Sequence, residues 1–179
     1  MTMRHSGFSL IELMIVLVIV GIGLLVGLPS YANWVANSRI RNAAESIQNG
    51  LQLARSEAVR RNARVSFVVT AGSGWTVGCV AVTAECPAAI QSRAASEGST
   101  GVTVVVTNSG TANTVFFNSF GASVTAAGAA GPARVDVDVD SATLAAADSR
   151  NLRVSVFSGG AVRMCDPNLG GTDPRRCVN

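Results

Sequence analysis

The sequence predicts an α+β protein, with one long N-terminal helix followed by a small head of antiparallel β-strands. Three observations support this. An uninterrupted apolar run lies near the N-terminus, an amphipathic 3.6-residue pattern follows it, and seven short β-branched or aromatic segments fill the rest of the 179 residues.

The apolar run comes first. Sixteen consecutive residues, Leu13 to Leu28, carry no polar side chain, and the 21 residues from Phe8 to Leu28 hold a single charge, Glu12. As a helix that segment is about 31 Å long, enough to cross the hydrocarbon layer of a bilayer. It is longer than the ~7–15 residues of a secretory signal core. No A-x-A cleavage pattern follows it, and Pro29, Ser30 and Tyr31 lead into more helix-like sequence. A carboxylate in such a segment costs on the order of 2.5–3.5 kcal/mol near the centre and less near an end. A plain membrane anchor gives no reason for it.

From Ala32 to about Asn62 the apolar residues Ile40, Ala44, Ile47, Leu51, Ala54 and Ala58 recur at steps of three and four. They form one stripe, opposite a polar face of Arg41, Glu45, Gln48, Gln52 and Arg55. Small residues in the stripe suit close packing under a sheet. Helix is therefore expected from Phe8 to about Asn62, interrupted near Pro29 because proline removes one amide donor and clashes with the preceding turn.

Strands are expected at 65–70, 75–82, 102–107, 114–118, 134–140, 152–157 and 161–165. The run RVDVDVD from Arg134 to Asp140 alternates as a half-exposed strand should, and Ser158-Gly159-Gly160 is a hairpin signal. The segments 84–100 and 121–132 read as surface loops. Together the strands should make two small sheets packed on the helix.

Composition agrees with an exported protein. Net charge is +3, and all 14 basic residues are arginine. Cys79, Cys86, Cys165 and Cys177 all lie beyond the apolar run, and an even count outside the cytoplasm favours disulfides. Three connectivities are possible. Local pairing, Cys79 with Cys86 and Cys165 with Cys177, is expected because each pair brackets a turn-rich segment. Zinc is not expected, since no CxxC pair exists and the one histidine is His5.

Other chemistries find little footing. Asp136, Asp138 and Asp140 lack the glycine and terminal glutamate of a calcium loop and read as a solvated strand face. No nucleophile–base pair can be built, and Gly72-Ser73-Gly74 is a turn and not a phosphate loop. Neither an enzyme, a metal nor a cofactor is expected.

Two stretches resemble a known family. Gly7-Phe8-Ser9-Leu10-Ile11-Glu12, after a short basic leader, resembles the processing site of class-a type IV prepilins and type II secretion pseudopilins. The run Arg39 to Arg64, with Leu53-Ala54-Arg55-Ser56-Glu57-Ala58 before a hydrophobic strand, resembles the GspH/FimT group of minor pilins and pseudopilins. The resemblance implies a pilin-like fold. Prepilin peptidase would cut after Gly7 and methylate the new amino group of Phe8. Glu12 would pair with a neighbouring subunit's amino terminus during assembly, and Pro29 matches the proline that kinks the family's helix.

The implied organisation is a leader at 1–7, a transmembrane and assembly helix at 8–31, and a periplasmic head at 32–179. The head divides into an amphipathic helix at 32–62 and a β-rich part at 64–179. The protein would sit in the inner membrane as a single-pass subunit before entering a pilus or pseudopilus. Its partners would be other minor and major pilins or pseudopilins, prepilin peptidase, the inner-membrane assembly platform and membrane lipid.

The expected function is that of a minor pilin of a type IV pilus, initiating assembly and forming part of the tip complex. The C-terminal cysteine loop resembles pilus subunits more than secretion pseudopilins. The alternative is the H-type minor pseudopilin of a type II secretion system. A second alternative is DNA capture for transformation, since Arg163, Arg175 and Arg176 cluster near the C-terminus and arginines on a rigid loop suit successive phosphates. Asp166 and Asp173 lie in the same segment and reduce its charge.

Overall fold

The structure, a computed structural model, describes residues 9–108 and 111–178, the side chains of 26–29 and 108 excepted. The chain divides into two compact units, Met1–Val35 and Ala36–Asn179.

One helix, α1 (Leu10–Arg60), contributes to both. Ser9 starts it: its hydroxyl accepts from the Glu12 amide at 3.3 Å and its carbonyl from the Leu13 amide at 3.2 Å, satisfying donors that have no partner within the first turn. At the far end Asn62 takes a left-handed φ of 47° while the Ala63 amide returns to the Ala58 carbonyl at 3.1 Å. That geometry caps the helix. The expected interruption near Pro29 is not observed, as α1 continues through that position. A proline removes only one rung of the ladder, and the helix is continued by the turns on either side.

In the first unit the large apolar side chains of Leu10–Leu25 are exposed, from 48% for Val16 to 77% for Leu10 and Leu25. They make a surface suited to lipid or to other helices, not to water.

In the second unit, nine strands among the described residues form two antiparallel sheets. The first contains β1 (Val65–Val69), β2 (Trp75–Cys79), β3 (Gln91–Arg93), β5 (Thr114–Phe117) and β6 (Ser123–Val124), in the order β3-β2-β1-β5-β6. The second contains β4 (Val102–Asn108), β7 (Ala133–Val139), β8 (Leu152–Val156) and β9 (Val162–Cys165), in the order β4-β7-β8-β9. Seven of these are the expected strands, with ends moved by a few residues. The other two, β3 and β6, fall in segments expected to be surface loops. Those segments also bury Cys86, Ser99 and Ser123.

The apolar stripe of α1 is the centre of the core. Ile40, Ala44, Ile47, Leu51, Ala54 and Ala58 have no exposed surface, and neither do Val65, Phe67, Val77 and Phe117 of the first sheet. Fully burying an Ile, Leu or Phe contributes about 1.5–3 kcal/mol. Val135, Val137 and Val154 fill the same role in the second sheet. Close approach of helix to sheet depends on Gly50, where a Cβ would lie 2.6 Å from Phe67 and 3.1 Å from Trp75. Glycine inside a helix costs about 1 kcal/mol relative to alanine, and the two aromatic rings occupy the space it leaves.

The acidic face of β7 is less solvated than its pattern implies. Asp136 and Asp138 are half-buried; Asp136 accepts from Arg153 Nε at 2.6 Å, and Asp138 accepts from the Ser149 hydroxyl.

Candidate functional site

The expected site residues fall at the two ends of the chain. Gly7 and Phe8 lie outside the described residues. Glu12 is exposed in the first turn of α1, where a carboxylate is favoured by the helix dipole, and no ion pair involves it among the described residues. It is thus a lone acid at the entrance of an apolar helix. Pro29 lies within the same helix.

At the other end, Cys165 joins Cys177, with an S–S distance of 2.04 Å and Cα atoms 4.9 Å apart. The loop so closed is clasped by its own backbone. The Asp166 amide donates to the Arg175 carbonyl at 2.8 Å, and Asp166 and Arg176 form a parallel bridge. A second disulfide joins Cys79, the last residue of β2, to Cys86, with Cα atoms 5.6 Å apart.

The clasp separates the three arginines grouped by sequence. Arg175 is paired: its Nη2 lies 3.0 Å from the Asp173 carboxylate, whose other oxygen also accepts the Arg175 amide at 2.8 Å. Hydrogen bonding from Arg175 holds the Asp173 carboxyl below the usual carboxylate range and raises the guanidinium in turn. Arg163 of β9 and Arg176 of the clasp instead line one shallow cleft with Phe157, Met164 and Pro174. No ion pair involves either of them among the described residues.

A third charged cluster was not apparent from sequence. Glu57, 8% exposed, accepts from Arg60 at 2.6 and 2.9 Å and from Arg61 Nε at 2.6 Å. Arg61 also donates to the carbonyl of Glu85, inside the Cys79–Cys86 loop. The Arg60 hydrogen bond, with Arg61 in support, holds the Glu57 carboxyl below its ordinary value against the opposing effect of burial. The spacing E-x-x-R-R near a helix end was the available signal, and i,i+3 and i,i+4 pairs are common there. The contact from Arg61 to Glu85 forms only because the loop folds back.

Close by, Arg64 lies with its guanidinium carbon 4.4 Å from the centre of the Phe116 ring and donates to the carbonyls of Thr125 and Ala126 at 2.6 and 2.9 Å. Together these contacts pin the β6 region to the start of β1. No group of three or more potential metal ligands occurs among the described residues.

An exposed apolar N-terminal helix, carried on into a head of two antiparallel sheets, defines a pilin-like subunit. Residues 43–175 match the family described as Type II transport protein GspH, and residues 2–28 match the prokaryotic N-terminal methylation motif. The chain belongs to the GspH family, a family of minor pilins and pseudopilins. Among solved structures it is similar to the type IV minor pilin FimU of Pseudomonas aeruginosa, at 17% identity over 74% of this chain and 92% of that one, with a TM-score of 0.50. It is also similar to the minor pseudopilin EpsH of the Vibrio cholerae type 2 secretion system, at 14% identity over 73% of this chain and 99% of that one, with a TM-score of 0.53. Both share the fold. The family is structural and not enzymatic, and its members assemble with other pilins.

Proposed function

We propose that this chain is a minor pilin of a type IV pilus, a low-copy subunit that helps initiate assembly and joins the tip complex to the major pilin. The observation that carries the reading is the C-terminal loop closed on β9 by Cys165–Cys177, a device that resembles pilus subunits more than secretion pseudopilins. Prepilin peptidase cuts after Gly7 and methylates Phe8, and the exposed apolar helix holds the subunit in the inner membrane with its head in the periplasm. The Glu12 carboxylate, in no ion pair among the described residues, meets the amino terminus of a neighbouring subunit. An acid in apolar surroundings is tolerated when a cation meets it, and this penalises wrong axial registers.

The test is a deletion strain assayed for surface pili and for secreted proteins. Loss of pili with normal secretion supports the pilus. Loss of secretion with normal piliation assigns the chain to the alternative, an H-type minor pseudopilin.

A second reading, DNA contact, rests on Arg163 and Arg176 sharing one cleft while Arg175 is bound to Asp173. Phosphate contacts of this kind weaken with salt, by a slope of about 0.9 per contact in log–log terms. In a salt-dependent gel shift with the full chain in detergent, Arg163→Ala and Arg176→Ala should each reduce binding more than Arg175→Ala. No shift at low salt would exclude DNA as a ligand.

A further inference from the structure

The edge strand β4 differs from the other three sheet edges. In the first sheet the edges are β3, three residues long, and β6, two residues long. In the second sheet β9 is four residues long, carries Arg163, and leads directly into the Asp166–Arg176 bridge of the clasp. Short length, a charge or a covering segment are the usual protections of an edge against pairing with another chain. Strand β4 is neither short nor charged, and among the described residues the Gly72 turn approaches it only at its first residue, Val102. It is seven residues long, Val102 to Asn108, with no charge, proline or glycine. Among the described residues it pairs with β7 alone. Outside that ladder, the only backbone bond found for it among the described residues is from the Val102 amide to the Ser99 carbonyl at 3.3 Å.

The outward face of β4 is formed by Thr103, Val105 and Thr107, with Val105 54% exposed, while Val102, Val104 and Val106 point into the core. The central five residues, Thr103-Val104-Val105-Val106-Thr107, read the same in both directions. We propose that β4 is a self-pairing edge, whose occupant is β4 of a second copy of this chain, antiparallel about a two-fold axis at Val105. That register places Thr103 opposite Thr107 and Val105 opposite Val105 on the outer face. On the core side Val104 meets Val106. Thr–Thr and β-branched pairs are favourable cross-strand neighbours, and no like charges meet. The register also keeps the core face of each sheet on the same side, since the side-chain period is two. Two four-stranded sheets thereby become one of eight strands. An isologous contact closes on itself, so it joins two copies and does not propagate.

Single-cysteine variants of the full chain in detergent test this directly. All four native cysteines are in disulfides, so an added one is the sole free thiol. Directly opposed strand residues have Cα atoms about 4.5–5.5 Å apart, within disulfide range. Val105→Cys should therefore cross-link to itself on mild oxidation. Thr103→Cys should not, because its two copies lie about 13 Å apart in this register, but a mixture of Thr103→Cys and Thr107→Cys should give a mixed dimer. Val82→Cys, an exposed residue outside the strands, reports chance collision. In sedimentation, Val105→Lys, which puts two cations on the axis, should shift the chain from dimer towards monomer.

Cross-linking of Val105→Cys no greater than that of Val82→Cys would overturn the proposal and leave β4 to a different partner. Self-cross-linking of Thr103→Cys as efficient as that of Val105→Cys would overturn the antiparallel register. Equal association of wild type and Val105→Lys would assign any dimer to another surface. None of these outcomes depends on whether the subunit serves a pilus or a secretion system.

Discussion

The indole nitrogen of Trp75 donates to the hydroxyl of Ser46 at 2.8 Å, in the buried layer between α1 and the first sheet. Both residues are nearly inaccessible to solvent, at 3% and 4% exposure, so no water replaces the bond if it is removed. Trp75 also packs on Phe67, with ring centroids 5.7 Å apart. One polar contact thus orients the largest side chain of the interface.

Ser46→Ala leaves that indole N–H unsatisfied and should cost about 1–3 kcal/mol. Thermal unfolding of the full chain in detergent, followed by near-ultraviolet circular dichroism, checks it. In a double-mutant cycle with Trp75→Phe the two losses should be strongly non-additive. Additive losses would show that the bond contributes nothing of its own.

Acid should weaken the helix end through Glu57. Its carboxyl is held below the ordinary value in the folded chain, so the folded state binds this proton less readily than the unfolded state. The stabilisation is fully present above the unfolded carboxylate pKa, about 4.3, and is lost as pH falls through the folded value. Glu57→Gln should be less stable than wild type at neutral pH, and the gap should narrow as pH drops below about 5. Denaturant titrations at several pH values measure it, and a pH-independent gap would mean that the Arg60 and Arg61 pairs are not the source.

Removing the clasp with Cys165→Ser and Cys177→Ser should cost about 3 kcal/mol, the loop-closure value for a separation of 12 residues. Non-reducing peptide mapping of wild type should recover Cys79 with Cys86 and Cys165 with Cys177. A peptide joining Cys79 to either C-terminal cysteine would refute the arrangement.

Processing and assembly can be tested separately. Intact mass should show mature chain beginning at methylated Phe8, and Gly7→Leu should keep the leader in the presence of prepilin peptidase. Mature protein beginning after Leu28 would restore an ordinary secretory signal. Glu12→Val should insert in the membrane at least as well as wild type yet enter filaments poorly, and normal incorporation would remove Glu12 from the assembly contact.

What the sequence shows and what it hides follows from where each element's specificity resides. The stripe from Ile40 to Ala58 was legible because a 3.6 period can be read locally, and β7 because Arg134 to Asp140 alternates. Strand β3 was not legible. Gln91, Ser92 and Arg93 carry no strand pattern, and they are strand only because their backbone pairs with Trp75, Thr76 and Val77. The same holds for β6, two residues held by β5 and by the Ser123 amide bonding to the Ser158 carbonyl at 3.0 Å. At the C-terminus, residue types suggested three equivalent arginines. Only the turn that brings Asp173 onto Arg175 distinguishes it from Arg163 and Arg176. Glu57 carries part of the family resemblance, while its pairing with Arg60 and Arg61 and the link from Arg61 to the Cys79–Cys86 loop are visible only in the fold.

That Ser123–Ser158 bond lies beside a contact with mechanical meaning. Gly121 and Gly160, both with positive φ, bring their turns together so closely that a Cβ on Gly160 would overlap the Gly121 carbonyl. One turn belongs to the first sheet and the other to the second, and Arg55 of α1 lies against both. At that point of the seam the two sheets meet backbone against backbone, with no side chain between the two turns. A pull on the helix that reaches Arg55 is therefore passed to one turn of each sheet at once.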